Sequence, residues 1–282
     1  MLGIMKKKRE SPDNKVNDLD LKRWKDYDDL LVDSLWIVDQ RDKSGAHSNV
    51  YHGNFIPQIP NQFIKRFSKK DEIVLDAFLG SGTTLIEAQR LGRNGIGIEI
   101  LDEVAKLAAN AVESEAQEYA GTKQRIFVGD SRKDESVQEI KNFCTVLGKE
   151  SVSLIFLHPP YHDIIKFSDN PNDLSRIESL TDFLSAFGDV VANLEKILKK
   201  NGHIVIVIAD KYENSQWVPL GFRVMSEALD RCSNLVLKST IIKNMSGNRA
   251  KMNQERLWRY RALNGGYFVF KHEYIFLLKK IK

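Results

Sequence analysis

The segment EIVLDAFLGSGTTLIEAQRLGRNGIGIEI, running from Glu72 to Ile100, constrains the fold of this chain more than any other. A short apolar run ends at Asp76 in a glycine-bearing turn, apolar residues then recur at helical spacing, and a second strand-like run closes at Glu99. That is a β-α-β unit. The same alternation continues: helical LDEVAKLAANAVESEA, the strand RIFVGD, a polar helix over SVQEIKNFCTVLG, and the buried run SVSLIFL stopping abruptly at HPPY. LTDFLSAFGDVVANLEKILKKNG reads as an amphipathic helix closed by Gly202, HIVIVIAD as a buried strand and VPLGFRVMSEALDRC as a further helix. LVLKSTII and HEYIFLLKK complete the series as strands. The prediction is an α/β, Rossmann-like fold: a mostly parallel sheet with helices on both faces, binding its ligands at the carboxyl ends of the strands.

With 282 residues and 42% hydrophobic content, one sizeable core suffices, and we expect a polar N-terminal extension over 1–46 followed by a single domain over 47–282. The basic run from Lys6 to Arg9 reads as a solvated tail. Cys144 and Cys232 are the only cysteines and show neither metal-ligand nor disulfide-framework spacing, so no metal is expected and a reducing, cytoplasmic setting fits. No run approaches the roughly 18 to 20 apolar residues of a membrane span. The net charge of +4 says little about polyanion binding by its total; its distribution matters more.

The polar residues cluster at the predicted strand ends. In DAFLGSGTT, Gly80 and Gly82 let backbone amides approach a ligand at a helix N-terminus. Leu85 stands where a dinucleotide fingerprint would need its third glycine, which weakens a nicotinamide reading. Glu99 can accept both hydroxyls of a ribose, and Asp130, at the end of RIFVGD, suits an adenine amino group. Taken singly, such acids are more often helix caps or turn formers; in series they point to a nucleoside.

DAFLGSGTT, GIEI, VGD and HPPY together resemble the amino-group DNA methyltransferases, which modify adenine N6 or cytosine N4; the match spans roughly residues 47 to 210. The resemblance implies S-adenosyl-L-methionine as cofactor. It places Asp76, Phe78, Gly80 and Gly82 around the methionine part, Ser81, Thr83 and Thr84 in the turn, Glu99 at the ribose and Asp130 beside the adenine, with Ser131 a further cofactor-binding candidate. The upstream stretch HSNVYHGNFIPQIPNQFIKRF resembles the segment that packs over the cofactor, with His52, Phe55, Pro57 and Gln58 as candidates, although its prolines equally suit a plain extended loop.

His158, Pro159, Pro160 and Tyr161 are the catalytic candidates. The prolines fix the backbone and leave the Pro159 carbonyl to accept a hydrogen bond from an amino group, a neutral His158 can accept a second, and the Tyr161 ring can stack on a base. Direct transfer to a nitrogen needs positioning rather than a covalent intermediate. Cytosine C5 chemistry needs a cysteine nucleophile, which neither cysteine supplies in a plausible motif. The family usually carries Asp, Asn, Ser or Thr at the position of His158, so the target stays open between the two bases, leaning to cytosine N4.

Nucleic acid is expected at KNMSGNRAKMNQERLWRYRALNGG (243–266), where Lys243, Arg249, Lys251, Arg256, Arg259 and Arg261 interleave with Trp258 and Tyr260. A solvated helix with its aromatic residues docked on the core is the plainer alternative. After Tyr161, the loop HDIIKFSDNPNDLS offers Lys166, Ser168 and Asp163, and Asp210, Lys211 and Trp217 sit at the next strand end. The expected partners are DNA, as a duplex with its target base flipped out, and a cognate restriction endonuclease; the oligomeric state is left open. Two other functions compete: an RNA base methyltransferase, and a non-catalytic nucleic-acid-binding relative.

Overall fold

The structure is a computed structural model and describes residues 16–47, 51, 53–245 and 255–282. Its centre is an eight-stranded sheet. In chain order the elements are β1 (Leu35–Trp36), α1 (Gln58–Phe67), β2 (Ile73–Asp76), α2 (Thr83–Arg90), β3 (Asn94–Glu99), α3 (Asp102–Glu113), β4 (Gln124–Val128), α4 (Asp134–Val146) and β5 (Val152–Leu157). There follow α5 (Leu180–Glu195), β6 (Leu198–Ile208), β7 (Lys211–Glu213), β8 (Gln216–Val218), α6 (Leu220–Arg231), β9 (Leu235–Asn244), α7 (Glu255–Gly265) and β10 (His272–Lys280).

The sheet order is β1-β9-β10-β6-β5-β2-β3-β4, and every pairing is parallel except those of β10, which runs antiparallel to both β6 and β9. The chain order reverses between β2 and β5, and the crevice of such a sheet opens at that switch point. Because β10 is reversed, its first residues, not its last, lie at the edge where the parallel strands end.

Side-chain alternation with period two builds both cores. Ile73, Leu75, Ile155, Leu157, Ile204, Ile206 and Phe276 face one way, against Phe183, Phe187, Val190 and Val191 of α5 and Val224 of α6. Val74, Leu154, Phe156, Val205, Val207 and Ile275 face the other way, against Ile59, Phe63 and Ile64 of α1. Strands buried on both faces read as unbroken apolar runs, as they do in the sequence here.

Four features depart from the sequence reading. The described part of the expected extension is built into the molecule: β1 pairs with β9, Trp36 is buried against Phe63, and Arg93 holds Asp18 at 2.8 Å. The proline-rich stretch forms α1, because Pro57 caps it and Pro60 falls in the first turn, where no backbone donor is lost. Helix α5 ends at Glu195, not at Gly202; Asn201, at φ +63°, turns the chain within an irregular start to β6, and Lys280 Nζ donates to the carbonyls of Glu195 and Leu198. Finally, β7 and β8 form a tight hairpin across Asn214 and Ser215, both at positive φ, as a type I′ turn requires.

Candidate active site

The carboxyl ends of β2, β3, β4, β5 and β6 open into one cleft of about 1580 Å³. Asp76, Phe78, Gly80, Thr83, Glu99, Asp130 and Ser131 line one half, and His158, Pro159, Pro160 and Tyr161 line the other. Phe55 borders both halves, its ring centroid 5.2 Å from that of His158.

Buried carboxylates dominate the first half. Glu99 Oε2 accepts from the Gly80 N–H at 2.8 Å and Oε1 from the Leu101 N–H at 3.1 Å, so this side chain pins the glycine turn to the end of β3. Burial nevertheless pushes its pKa up to about 7, with Asp76 nearby adding to the effect. Asp76 accepts from the Phe78 N–H and the Thr84 hydroxyl, yet burial raises it to about 6. Neither has an ion-pair partner among the described residues, so both retain an electrostatic demand that a ligand with ammonium or hydroxyl donors meets.

The turn residues divide their work. Gly80, at φ +54°, brings its backbone to the cleft, where an added Cβ would lie 3.0 Å from Asn54 Oδ1 and 3.2 Å from the Tyr51 ring. Gly82, at φ +88°, starts α2 and passes Ala108 of α3, whose Cβ would be 3.2 Å from its own; it serves helix packing instead of lining the cleft. Ser81 bonds Asn54 and Thr84 bonds Asp76, so these two act behind the surface. Asp130 is engaged by Arg132, whose guanidinium donates to both carboxylate oxygens at 2.7 to 3.1 Å. The Ser131 hydroxyl donates to the Ala77 carbonyl at 2.7 Å, tying β4 to the glycine turn. His52 lies outside the described residues.

In the second half, a chain of polar contacts crosses three strands. His158 Nε2 meets the Tyr161 hydroxyl at 3.2 Å, that hydroxyl donates to Glu273 Oε2 at 3.3 Å, and Glu273 Oε1 pairs with Lys243 Nζ at 2.9 Å. Burial depresses the His158 pKa to about 4, with Glu273 opposing and Lys243 assisting, so its imidazole is neutral near pH 7. Burial raises the Tyr161 phenol, and the adjacent Glu273 carboxylate raises it further. Behind Tyr161, Lys211 holds His162 at 2.9 Å, Asp163 at 2.7 Å and Glu213 at 2.8 Å, anchoring the following loop to β7. Asp210 accepts from the Trp217 indole at 2.7 Å and the Gly221 N–H at 2.9 Å.

The nucleic-acid candidates separate. Lys243 is only 4% exposed and ion-paired to Glu273, so it is a buried part of the cleft, not a phosphate contact; this corrects the expectation for it. Lys166 is exposed and does not line the cleft, unlike its neighbours Ile164, Ile165 and Phe167. Arg256, Arg259 and Arg261 are exposed on α7, Trp258 faces the cleft from the same helix, and the Arg261 guanidinium lies 5.4 Å from the Trp258 ring centroid. Arg249 and Lys251 lie outside the described residues.

Sequence reasoning missed the cleft wall made by Val38 to Lys43, together with Tyr51, Asn54 and Glu273. Arg41 donates to the Phe55 carbonyl at 2.8 Å, which fixes that wall to the segment before α1. Glu273 left one signal, a carboxylate just ahead of the apolar run Tyr274 to Leu278, but nothing local to it points to a site more than a hundred residues away.

A family model described as a DNA methylase matches residues 4–110 and 152–282. The chain is 48% identical over 72 residues to the type II methyltransferase M.MjaII of Methanocaldococcus jannaschii, a stretch covering 26% of this chain and 13% of that protein. It is 36% identical over 75 residues to the type II methyltransferase M.ScaI of Streptomyces caespitosus, covering 27% of this chain and 25% of that protein. Each match thus spans a quarter or less of the relative's own length.

Proposed function

This chain belongs to the DNA methylase family, and from that premise we propose that it transfers a methyl group from S-adenosyl-L-methionine to the exocyclic amine of a base in DNA, cytosine N4 or adenine N6, with the lean to N4. The observation that carries the reading is the juxtaposition in one cleft of the His158-Pro159-Pro160-Tyr161 turn and two buried carboxylates that have no cationic partner among the described residues.

The residues present fit the cofactor. Glu99 supplies acceptors for ribose hydroxyls, Asp76 offers negative charge for an ammonium, and Gly80, which lines the cleft without a side chain, allows close approach. When bound, S-adenosyl-L-methionine supplies a methyl group activated by a positively charged sulfur. The protein's task is to present the base amine. The Pro159 carbonyl and a neutral His158 accept from its two N–H groups, which fixes the direction of its lone pair. The aromatic rings of Phe55 and Tyr161 supply faces for a flat base taken out of its stack. Helix α7, with three exposed arginines beside the cleft, suits the phosphates of the duplex.

The test is incubation with tritiated S-adenosyl-L-methionine and unmethylated genomic DNA, followed by digestion and mass spectrometry of the nucleosides. N4-methylcytosine or N6-methyladenine is expected. Transfer to transfer RNA alone, or no transfer despite cofactor binding, overturns the reading.

A further inference from the structure

Residues from two distant strands meet the His158-Pro159-Pro160-Tyr161 turn. Glu273 is the second residue of β10 and Lys243 the penultimate residue of β9, and the two are directly paired in the sheet. They reach this edge only because β10 is reversed, so that its first residues lie beside the ends of β6 and β9. Glu273 is 7% exposed and Lys243 4% exposed, and their side chains form an ion pair at 2.9 Å. Such a buried pair is weak evidence of a stabilising role, since an apolar pair of similar volume commonly does as well.

The donor and acceptor count along the chain has one solution. A carboxylate paired with an ammonium can only accept, so the single proton of the Tyr161 hydroxyl is committed to Glu273 Oε2. The Tyr161 oxygen is then the acceptor in its contact with His158 Nε2, and that nitrogen must carry the imidazole proton. Nδ1 is left as the bare acceptor. We propose that Glu273, held by Lys243 and acting through Tyr161, is a positioning residue that fixes His158 in its Nε2–H tautomer, making Nδ1 the acceptor for the target amine. The use of that acceptor rests on the methyl-transfer reading; the tautomer itself does not. The depressed pKa of His158 agrees, because a neutral ring is required for a tautomer to matter.

Replacing Glu273 with glutamine should invert the arrangement. Lys243 is a donor and claims the amide oxygen, so the amide NH2 faces Tyr161 and donates to its oxygen. The Tyr161 proton then turns to His158 Nε2, and the imidazole proton moves to Nδ1, converting the acceptor into a donor. Long-range 1H–15N NMR of the full chain labelled with 15N-histidine reads this directly, with the His158 signals assigned by their loss in H158N. In the unmutated protein His158 should be protonated at Nε2 and bare at Nδ1; in E273Q the order should be reversed. E273Q should also lower the kcat of methyl transfer to genomic DNA on the order of a hundredfold with cofactor affinity unchanged, and E273D should restore part of it.

A His158 protonated at Nδ1 in the unmutated protein, or a tautomer unaltered in E273Q, overturns the assignment. An inverted tautomer with an unchanged rate overturns the positioning role. If the unmutated protein shows the Nε2–H tautomer but transfers no methyl group to DNA, the functional reading fails while the tautomer assignment stands, so the two failures are told apart.

Discussion

At the scale of single residues, the site is defined by charges and protons that burial has displaced from their ordinary states. Asp76 and Glu99 are raised to about 6 and about 7 chiefly by desolvation. In the folded chain they therefore hold protons that the unfolded chain releases above about pH 4, and each subtracts stability as pH rises toward its folded value. His158 is displaced the other way, to about 4, so its neutral form stabilises the fold above about 6.5, and that contribution is lost as pH falls. A bound cofactor donating to the two carboxylates favours their ionised forms. We predict that affinity for S-adenosylhomocysteine, followed by calorimetry, strengthens on the order of tenfold from pH 5.5 to pH 8. E99Q should weaken binding and flatten the upper part of that profile. A pH-independent affinity would show that the ligand does not engage these acids.

At the scale of elements, α7 carries the prediction about nucleic acid. Its arginines at 256, 259 and 261 are exposed while Trp258, on the same helix, lines the cleft, so the helix joins a basic surface to the place where the base would sit. The triple variant R256E/R259E/R261E should weaken binding to DNA of any sequence. It should also reduce the dependence of log affinity on log salt by about 0.9 for each phosphate that is no longer neutralised. Cofactor affinity should not change, because the acids and the glycine turn belong to β2 and β3. Titrations at several salt concentrations check this, and an unchanged slope would leave α7 as the solvated helix that its charge pattern also allows.

At the scale of the whole molecule, the first described segment is part of the sheet. Trp36 is 2% exposed, packs tilted against Phe63 with ring centroids 5.6 Å apart, and donates its indole N–H to the Asp33 carbonyl at 3.0 Å, and the chain that follows it supplies the cleft wall from Val38 to Lys43. W36A should lower unfolding stability by about 3 to 5 kcal/mol in a denaturant titration. It should also loosen the cofactor site, because the wall leads directly into the segment carrying Tyr51, Asn54 and Phe55. A variant with full stability would show that β1 adds nothing to the fold.

The alternation of apolar runs and helical periods was enough to determine the parallel sheet, because strands buried on both faces and helices buried on one leave different periods in the chain. It also placed Asp76, Glu99, Asp130 and the His158 turn at strand ends, and all of them line one cleft. Periodicity carries no record of partners far along the chain. Glu273 and Lys243 are residues of adjacent strands whose meeting with Tyr161 depends on the reversal of β10. Lys243 looked like a free cation because it heads a segment rich in arginine further along, and only the sheet pairing reveals the carboxylate that neutralises it. Gly82 was legible as a turn glycine, but its close approach to Ala108 of α3 was not, because that contact is made by a helix later in the chain. Local sequence thus determined which residue types stand at the strand ends; tertiary pairing decided which of their protons and charges remain available to a substrate, because that depends on what lies across the sheet.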